Sequence, residues 1–291
     1  MMTSIAASIA TGLDANSTSS KAKLGLHKKS LKWSMIKEEG MSVMDKFKLI
    51  KELGFDGIEL DWPNVLDEKE ILAARDKTGL ELPGVVNSLH WKKPFSSPDP
   101  AIRKELAESM IQALHKTKLY GGSTVLLVPG TVNDKVRYDE AWERSTVEIK
   151  KLLPEAEKTG VKIAIENVWN NFLLSPMEAA NFIDQFDSEM IGWYMDIGNV
   201  VRYGWPDQWI RILGKRIIKV DIKDYSRKKQ TEEGIWEGFK VLLGEGHSDY
   251  AKVNIALKEV GYSGWGSAEV RGGDRVRLKE ISERMDMLYA M

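Results

Sequence analysis

From Lys23 onward the chain repeats one rhythm eight times: a short apolar run, then a longer stretch with apolar residues at helical spacing. The apolar runs fall at 31–36, 57–61, 82–91, 123–128, 161–165, 191–197, 216–222 and 266–270. The helical stretches fall at 43–53, 67–78, 99–119, 138–158, 175–186, 206–213, 251–260 and 275–291. Several close on a glycine (Gly54, Gly79, Gly160), the residue that ends a helix in the left-handed conformation most cheaply. The run Ser123-Thr-Val-Leu-Leu-Val128 is apolar throughout, as a parallel strand covered on both faces must be. Parallel strands need crossovers, normally helices, and eight strand–helix units close a barrel. The expectation is an α/β protein, a single (β/α)8 barrel of TIM type over 23–291. Such barrels run to about 250 residues as one domain, whereas doubly wound sheets, the open alternative, more often show fewer strands. A polar loop over 224–236 interrupts the rhythm.

Composition narrows the function. With 42 basic and 43 acidic residues the formal net charge is −1, which gives no footprint for nucleic acid. No apolar run reaches the roughly 18 residues of a membrane helix. There is no cysteine, and histidine occurs only at 27, 90, 115 and 247, so a metal site must be built mostly from carboxylates. Residues 1–22, rich in Ala, Ser and Thr, read either as a disordered leader or as the remnant of an export signal. The protein is cytoplasmic on the first reading and exported or periplasmic on the second.

The informative residues are acids that break the apolar runs, and they gather at strand ends: Glu166, Asp196, Asp221 and Glu269 on strands five to eight, Glu59 and Asp61 on strand two. In this barrel that end is where the βα loops meet over the site. Neighbouring strands lie about 4.8 Å apart, so four acids on four successive strands can converge. Bare, they would repel one another, and a divalent cation resolves the repulsion. The competing role for any one of them is to cap the next helix. Glu59 and His90 are candidate substrate contacts. His90 and the tryptophans Trp91 and Trp169 read equally well as core.

These residues sit in motifs that resemble the xylose isomerase-like sugar isomerase/epimerase superfamily: Gly57-Ile-Glu-Leu60, Ser88-Leu-His90, Ile165-Glu-Asn167, Met195-Asp-Ile-Gly-Asn199, Asp221-Ile-Lys-Asp224, Gly244-Glu-Gly246 and Ala268-Glu269. Lys29-Ser-Leu-Lys-Trp-Ser-Met35 and Glu166-Asn-Val-Trp-Asn170 look most similar to 3-epimerases of pentulose or hexulose phosphates. The resemblance implies one divalent metal held by Glu166, Asp196, Asp221 and Glu269, with Glu166 and Glu269 also the catalytic acid/base pair. It departs at Asp221, where the family has His. The set becomes all-oxygen, which favours Mn²⁺ or Mg²⁺ over Zn²⁺.

The activity implied is a ketose or ketose-phosphate isomerase or epimerase working through an enediolate. Trp169, Asn199, Lys223 and Arg271 join Glu59 and His90 as candidate substrate-binding residues, and Lys32, Lys223 and Arg271 are candidate phosphate ligands. A small sugar is the expected partner, with neither nucleic acid nor membrane, and the family suggests a homo-oligomer. A lyase or dehydratase acting on a keto-sugar, and a non-catalytic sugar-binding barrel, are the alternatives. Endonuclease-type cleavage would need several zinc ions and many more histidines.

Overall fold

The computed structural model describes residues 23–291; the leader or signal remnant at 1–22 lies outside the described residues. Eight parallel strands close into a barrel in sequence order: β1 (Gly25–Lys32), β2 (Gly57–Trp62), β3 (Gly84–Asn87), β4 (Thr124–Leu127), β5 (Lys162–Glu166), β6 (Ile191–Asp196), β7 (Ile217–Ile222) and β8 (Ser263–Ala268). Closure is made by β1 against β8, where Leu31 pairs with Ala268. Among the described residues ten helices surround it: α1 (Val43–Glu52), α2 (Glu68–Thr78), α3 (Pro100–Tyr120), α4 (Tyr138–Thr159), α5 (Pro176–Asp184), α6 (Ile197–Val201), α7 (Pro206–Leu213), α8 (Arg227–Glu232), α9 (Tyr250–Glu259) and α10 (Arg275–Tyr289).

Local sequence explains the boundaries. Ser42, Asp67 and Asp99 each accept a backbone N–H at the start of α1, α2 and α3, satisfying donors a helix cannot use. The core lies between strands and helices: Leu31, Ile58, Ile163, Trp193 and Val220 from the barrel meet Phe47, Leu106, Leu114, Ile210, Leu257 and Ile281 from the ring, all buried.

Four expectations are corrected. Strand one begins six residues earlier than 31 and ends in a 3-10 turn at Trp33–Met35. Lys28 and Lys29 masked it; the Lys29 stem is buried while its ammonium reaches Ser282 Oγ at 2.9 Å, the usual compromise for a long amphipathic side chain. His27, outside the apolar runs read from the sequence, lies in the same strand. Strand three is only four residues long, and His90 sits in the 3-10 turn Ser88–Trp91 that follows, started by Asn87 accepting from Leu89 N. The count of helices is ten rather than eight, because α6 follows Asp196 at once and the polar loop contains α8.

Candidate metal and catalytic centre

The register brings the acids together. Asp196 and Asp221 are direct neighbours on β6 and β7, an arrangement that costs stability when both are charged. Glu166 ends β5, and Glu269 follows β8 by one residue. Each of the four offers an oxygen within 4.8 Å of the others'. Glu166, Asp196 and Asp221 are buried; the Glu269 side chain is a third exposed. The helix-capping alternative holds for Asp196 alone, whose Oδ1 accepts from Asn199 N at 2.8 Å. Asn167 braces the same turn, donating to Asp196 O and accepting from Asp196 N.

Lys223, on the stretch leaving β7, reaches Asp196 Oδ2 at 2.7 Å and Glu269 Oε2 at 2.5 Å. Burial, then the charges of Glu269, Asp196 and Asp221, push Glu166 well above the usual carboxylate range. Burial pushes Asp196 up to about 6 and Asp221 also upward. Glu269 goes the other way: burial opposes it, but Lys223 and Lys32 together hold it low.

Beneath this quartet the barrel interior carries a second charged layer. Lys32 on β1 bonds Glu59 on β2 at 2.6 Å and Asp221 on β7 at 2.8 Å. Glu59 also accepts from Tyr194 and Ser267, at 2.8 and 2.9 Å, and pairs with Lys219. Gly84 leaves the room Lys219 needs, since a Cβ there would lie 2.7 Å from its ammonium. Glu59 is therefore saturated, fully buried and absent from the cleft walls: the expected substrate contact is instead the counter-charge of two buried lysines. Lys32 is likewise spent. Asp221 Oδ2 alone of this group has neither hydrogen bond nor ion pair.

Above the quartet a cavity of about 490 Å³ is lined by Glu166, Asn199, Lys223, Glu269, Trp169 and Arg271, with Trp91, Trp236 and Phe239. It thus collects six of the residues expected to touch substrate or catalyse: Glu166, Glu269, Trp169, Asn199, Lys223 and Arg271. Asn199 approaches Glu166 Oε1 at 3.5 Å and Lys223 at 3.3 Å. Trp169 donates to Asn199 O at 2.9 Å and packs among Tyr225, Trp236 and Phe239, so it serves both as wall and as packing. His90 is buried and lies outside that lining. Its Nδ1 accepts from Val128 N at 3.3 Å, which leaves the ring proton on Nε2, an unpartnered donor. Burial holds its pKa down at about 3, so the ring stays neutral. His115 pairs with Glu155 on the surface, and His247 accepts from Arg227 N.

Trp236 and Phe239 were missed because they close a stretch that reads as polar. The signal was Gly234-Ile-Trp-Glu-Gly-Phe239, an apolar cluster after a charged run. Asp224 fixes this loop: its carboxylate accepts from the N–H groups of Tyr225, Gly244, Gly246 and Ser248 and from Ser248 Oγ. Tyr225 in turn donates to Ile235 O at 2.7 Å. This accounts for both the Ile-Lys-Asp and the Gly-Glu-Gly motifs. A Cβ at Gly246 would meet Asp224 Oδ1 at 2.1 Å. Gly246→Ala should therefore cost about 1–3 kcal/mol, read from urea unfolding, and should shift the tryptophan emission. An unchanged midpoint and spectrum would show that the loop does not depend on this anchor.

The donor set suits a hard divalent cation: four carboxylates, no nitrogen or sulfur, and a buried carboxylate oxygen with no partner. Binding then competes with protons. Asp196 must be ionised to bind, so affinity for Mn²⁺ should fall as pH drops through about 6, by roughly tenfold per unit for each proton displaced. Without a cation, each raised carboxyl binds its proton more tightly folded than unfolded. Each then contributes stability that is full below its unfolded value and lost as pH rises through its folded one, from about 4 to about 6 for Asp196. Titration calorimetry at pH 5 and 7.5 checks the first statement; equal affinities would contradict it.

Comparison with known proteins places the chain in a family of TIM barrels. The family model described as "Xylose isomerase-like TIM barrel" matches residues 47–291. L-ribulose-5-phosphate 3-epimerase UlaE of Salmonella paratyphi A is 26% identical over 259 residues, covering 84% of this chain and 86% of that protein. A solved L-ribulose 3-epimerase superposes with a TM-score of 0.76 at 18% identity, over 91% of this chain and 95% of that one. The IOLI protein, solved with a zinc atom bound, gives 0.75 at 18% identity over 91% and 98%. At such identities the two structures show the shared fold.

Proposed function

The chain belongs to the xylose isomerase-like TIM-barrel family, and from that premise we propose that it is a divalent-metal-dependent epimerase or isomerase of a ketose. The relatives support an enzyme acting on a sugar. The observation that carries the finer reading is the quartet: four oxygens within 4.8 Å at the floor of a ligand-sized cavity, with Glu166 and Glu269 both in its wall.

Glu166, Asp196, Asp221 and Glu269 would hold the cation. Bound there, a divalent ion supplies Lewis-acid stabilisation of the charge that develops on the substrate oxygens. The protein's own residues do the rest. One of Glu166 and Glu269 takes the proton from the carbon next to the carbonyl, and the other returns a proton from the opposite face. Lys223 adds positive charge beside them, and the aromatic wall of Trp169, Trp236 and Phe239 narrows access of water. Two positive charges among the four acids would also offset the burial and the repulsion that together raise Glu166, favouring the ionised form that acts as a base. The all-oxygen set favours Mn²⁺ or Mg²⁺.

The test is incubation with ketoses and ketose phosphates in D2O, following loss of the proton next to the carbonyl by NMR. Exchange that requires Mn²⁺ or Mg²⁺ is expected. No exchange from any ketose, in protein shown by calorimetry to bind the metal, would defeat the reading.

A further inference from the structure

The barrel mouth holds two chambers. The aromatic one, which contains Glu166 and Lys223, measures about 490 Å³ and by itself falls in the range of about 300–1,000 Å³ usual for small-molecule sites. A second, of about 650 Å³, opens where β1, β2 and β3 leave the barrel. The two share Trp91, Glu269, Val270 and Arg271, so one molecule can extend past Glu269 from the first into the second. Proton transfer between Glu166 and Glu269 needs only the first.

The second chamber has its own chemistry. Lys37, Asp61 and Arg271 line it, and among the described residues none of the three has an ion-pair partner, whereas Lys32 beside them is spent on Glu59 and Asp221. Trp91, on the rim, is 59% exposed. Ser88 presents a hydroxyl whose proton goes to Trp62 O at 3.1 Å, leaving it an acceptor. A carboxylate only accepts and a guanidinium only donates. Lys37 and Arg271 are exposed and Asp61 is half-buried, so all three are open to a ligand. A group that pairs with Asp61 and Arg271, as well as Ser88, is one that both gives and receives hydrogen bonds, which describes sugar hydroxyls. A phosphate has little to give Asp61 and is repelled by it. The indole face matches the apolar face of a pyranose.

We propose that this chamber is a subsite for an uncharged sugar ring linked to the reacting ketose, making the natural substrate glycoside-sized. The assignment of which ring reacts rests on the ketose reading above; binding in the second chamber does not.

The experiment compares metal-loaded protein on three probes in D2O: a free ketose, the same ketose carrying a glycosidically linked glucose, and the ketose phosphate. A non-keto disaccharide is titrated calorimetrically alongside. The linked compound should have a kcat/KM at least tenfold above the free ketose. Asp61→Asn and Trp91→Ala should each lower that ratio about tenfold, the size of one good hydrogen bond or ring contact, and Asp61→Asn should weaken the disaccharide equally. Disaccharide binding that needs Asp61, with no exchange from any ketose, would uphold the subsite and defeat the ketose reading. Exchange from the free ketose, with no gain from the second ring and no Asp61-dependent binding, would overturn the subsite and leave that reading intact. Preference for the phosphate, lost on Arg271→Met, would overturn it in favour of an anion site.

Discussion

Glu166→Gln and Glu269→Gln will each lower solvent-proton exchange into a ketose by about 10²–10⁴-fold, the usual worth of a positioned acid or base. Both side chains face the aromatic chamber and stand on strands separated by β6 and β7, so they reach a ligand over the quartet from different sides. Glutamine keeps the shape and one carbonyl oxygen but cannot take a proton. The two variants should differ in folding. Glu166 sits among like charges with its pKa raised, so neutralising it removes repulsion, and without metal the variant should unfold at equal or higher urea. Glu269 partners Lys223 at 2.5 Å, and its loss leaves that ammonium with Asp196. Metal affinity measured beside the exchange rate separates a lost ligand from a lost base: saturating Mn²⁺ restores the former only. Normal exchange in both variants would remove these residues from the chemistry.

What the sequence disclosed of this centre follows from strand geometry. An acid at the end of an otherwise apolar run has few places to be but the barrel mouth, so the sequence alone brings Glu166, Asp196, Asp221 and Glu269 together. Glu59 breaks the same rule from within its strand, three residues before β2 ends at Trp62, and there the side chain is buried inside the barrel instead of lining the cleft. Two positions along the same face of β2 separate this internal counter-ion from Asp61, which lines a cavity at the mouth, and boundaries are what apolar patterning defines least well. The long-range pairs were illegible for a related reason. Nothing local to Lys32 announces Glu59 and Asp221, because the register that joins β1 to β2 and the closure that carries β7 near β1 are properties of the whole barrel. Trp236 was hidden by the opposite circumstance: its loop is positioned by Asp224, through hydrogen bonds spanning more than twenty residues.

Lys32 should prove to be what allows an aspartate at 221. A buried carboxylate with no partner is costly, and removing one member of a buried ion pair typically loses about 3–5 kcal/mol. In Lys32→Met, Glu59 keeps Lys219, Tyr194 and Ser267, but Asp221 keeps nothing. Metal-free protein should lose roughly that much at pH 8. The loss should shrink toward pH 5, because Asp221, already pushed upward by burial, can escape by taking up a proton. Adding Mn²⁺ should return most of the stability, since the cation replaces the missing positive charge, and Mn²⁺ should bind more tightly than to the unaltered protein. Adding Asp221→His to this background removes the unpaired charge. That double variant should recover more than half of the metal-free loss and shift preference toward Zn²⁺, which imidazole suits better than an all-oxygen set does. Urea unfolding with and without Mn²⁺, together with competitive metal titration, reads all four quantities. A Lys32→Met protein as stable as the original at pH 8 without metal would mean that Asp221 is neutral in the native barrel, and that Lys32 is held there for Glu59 alone.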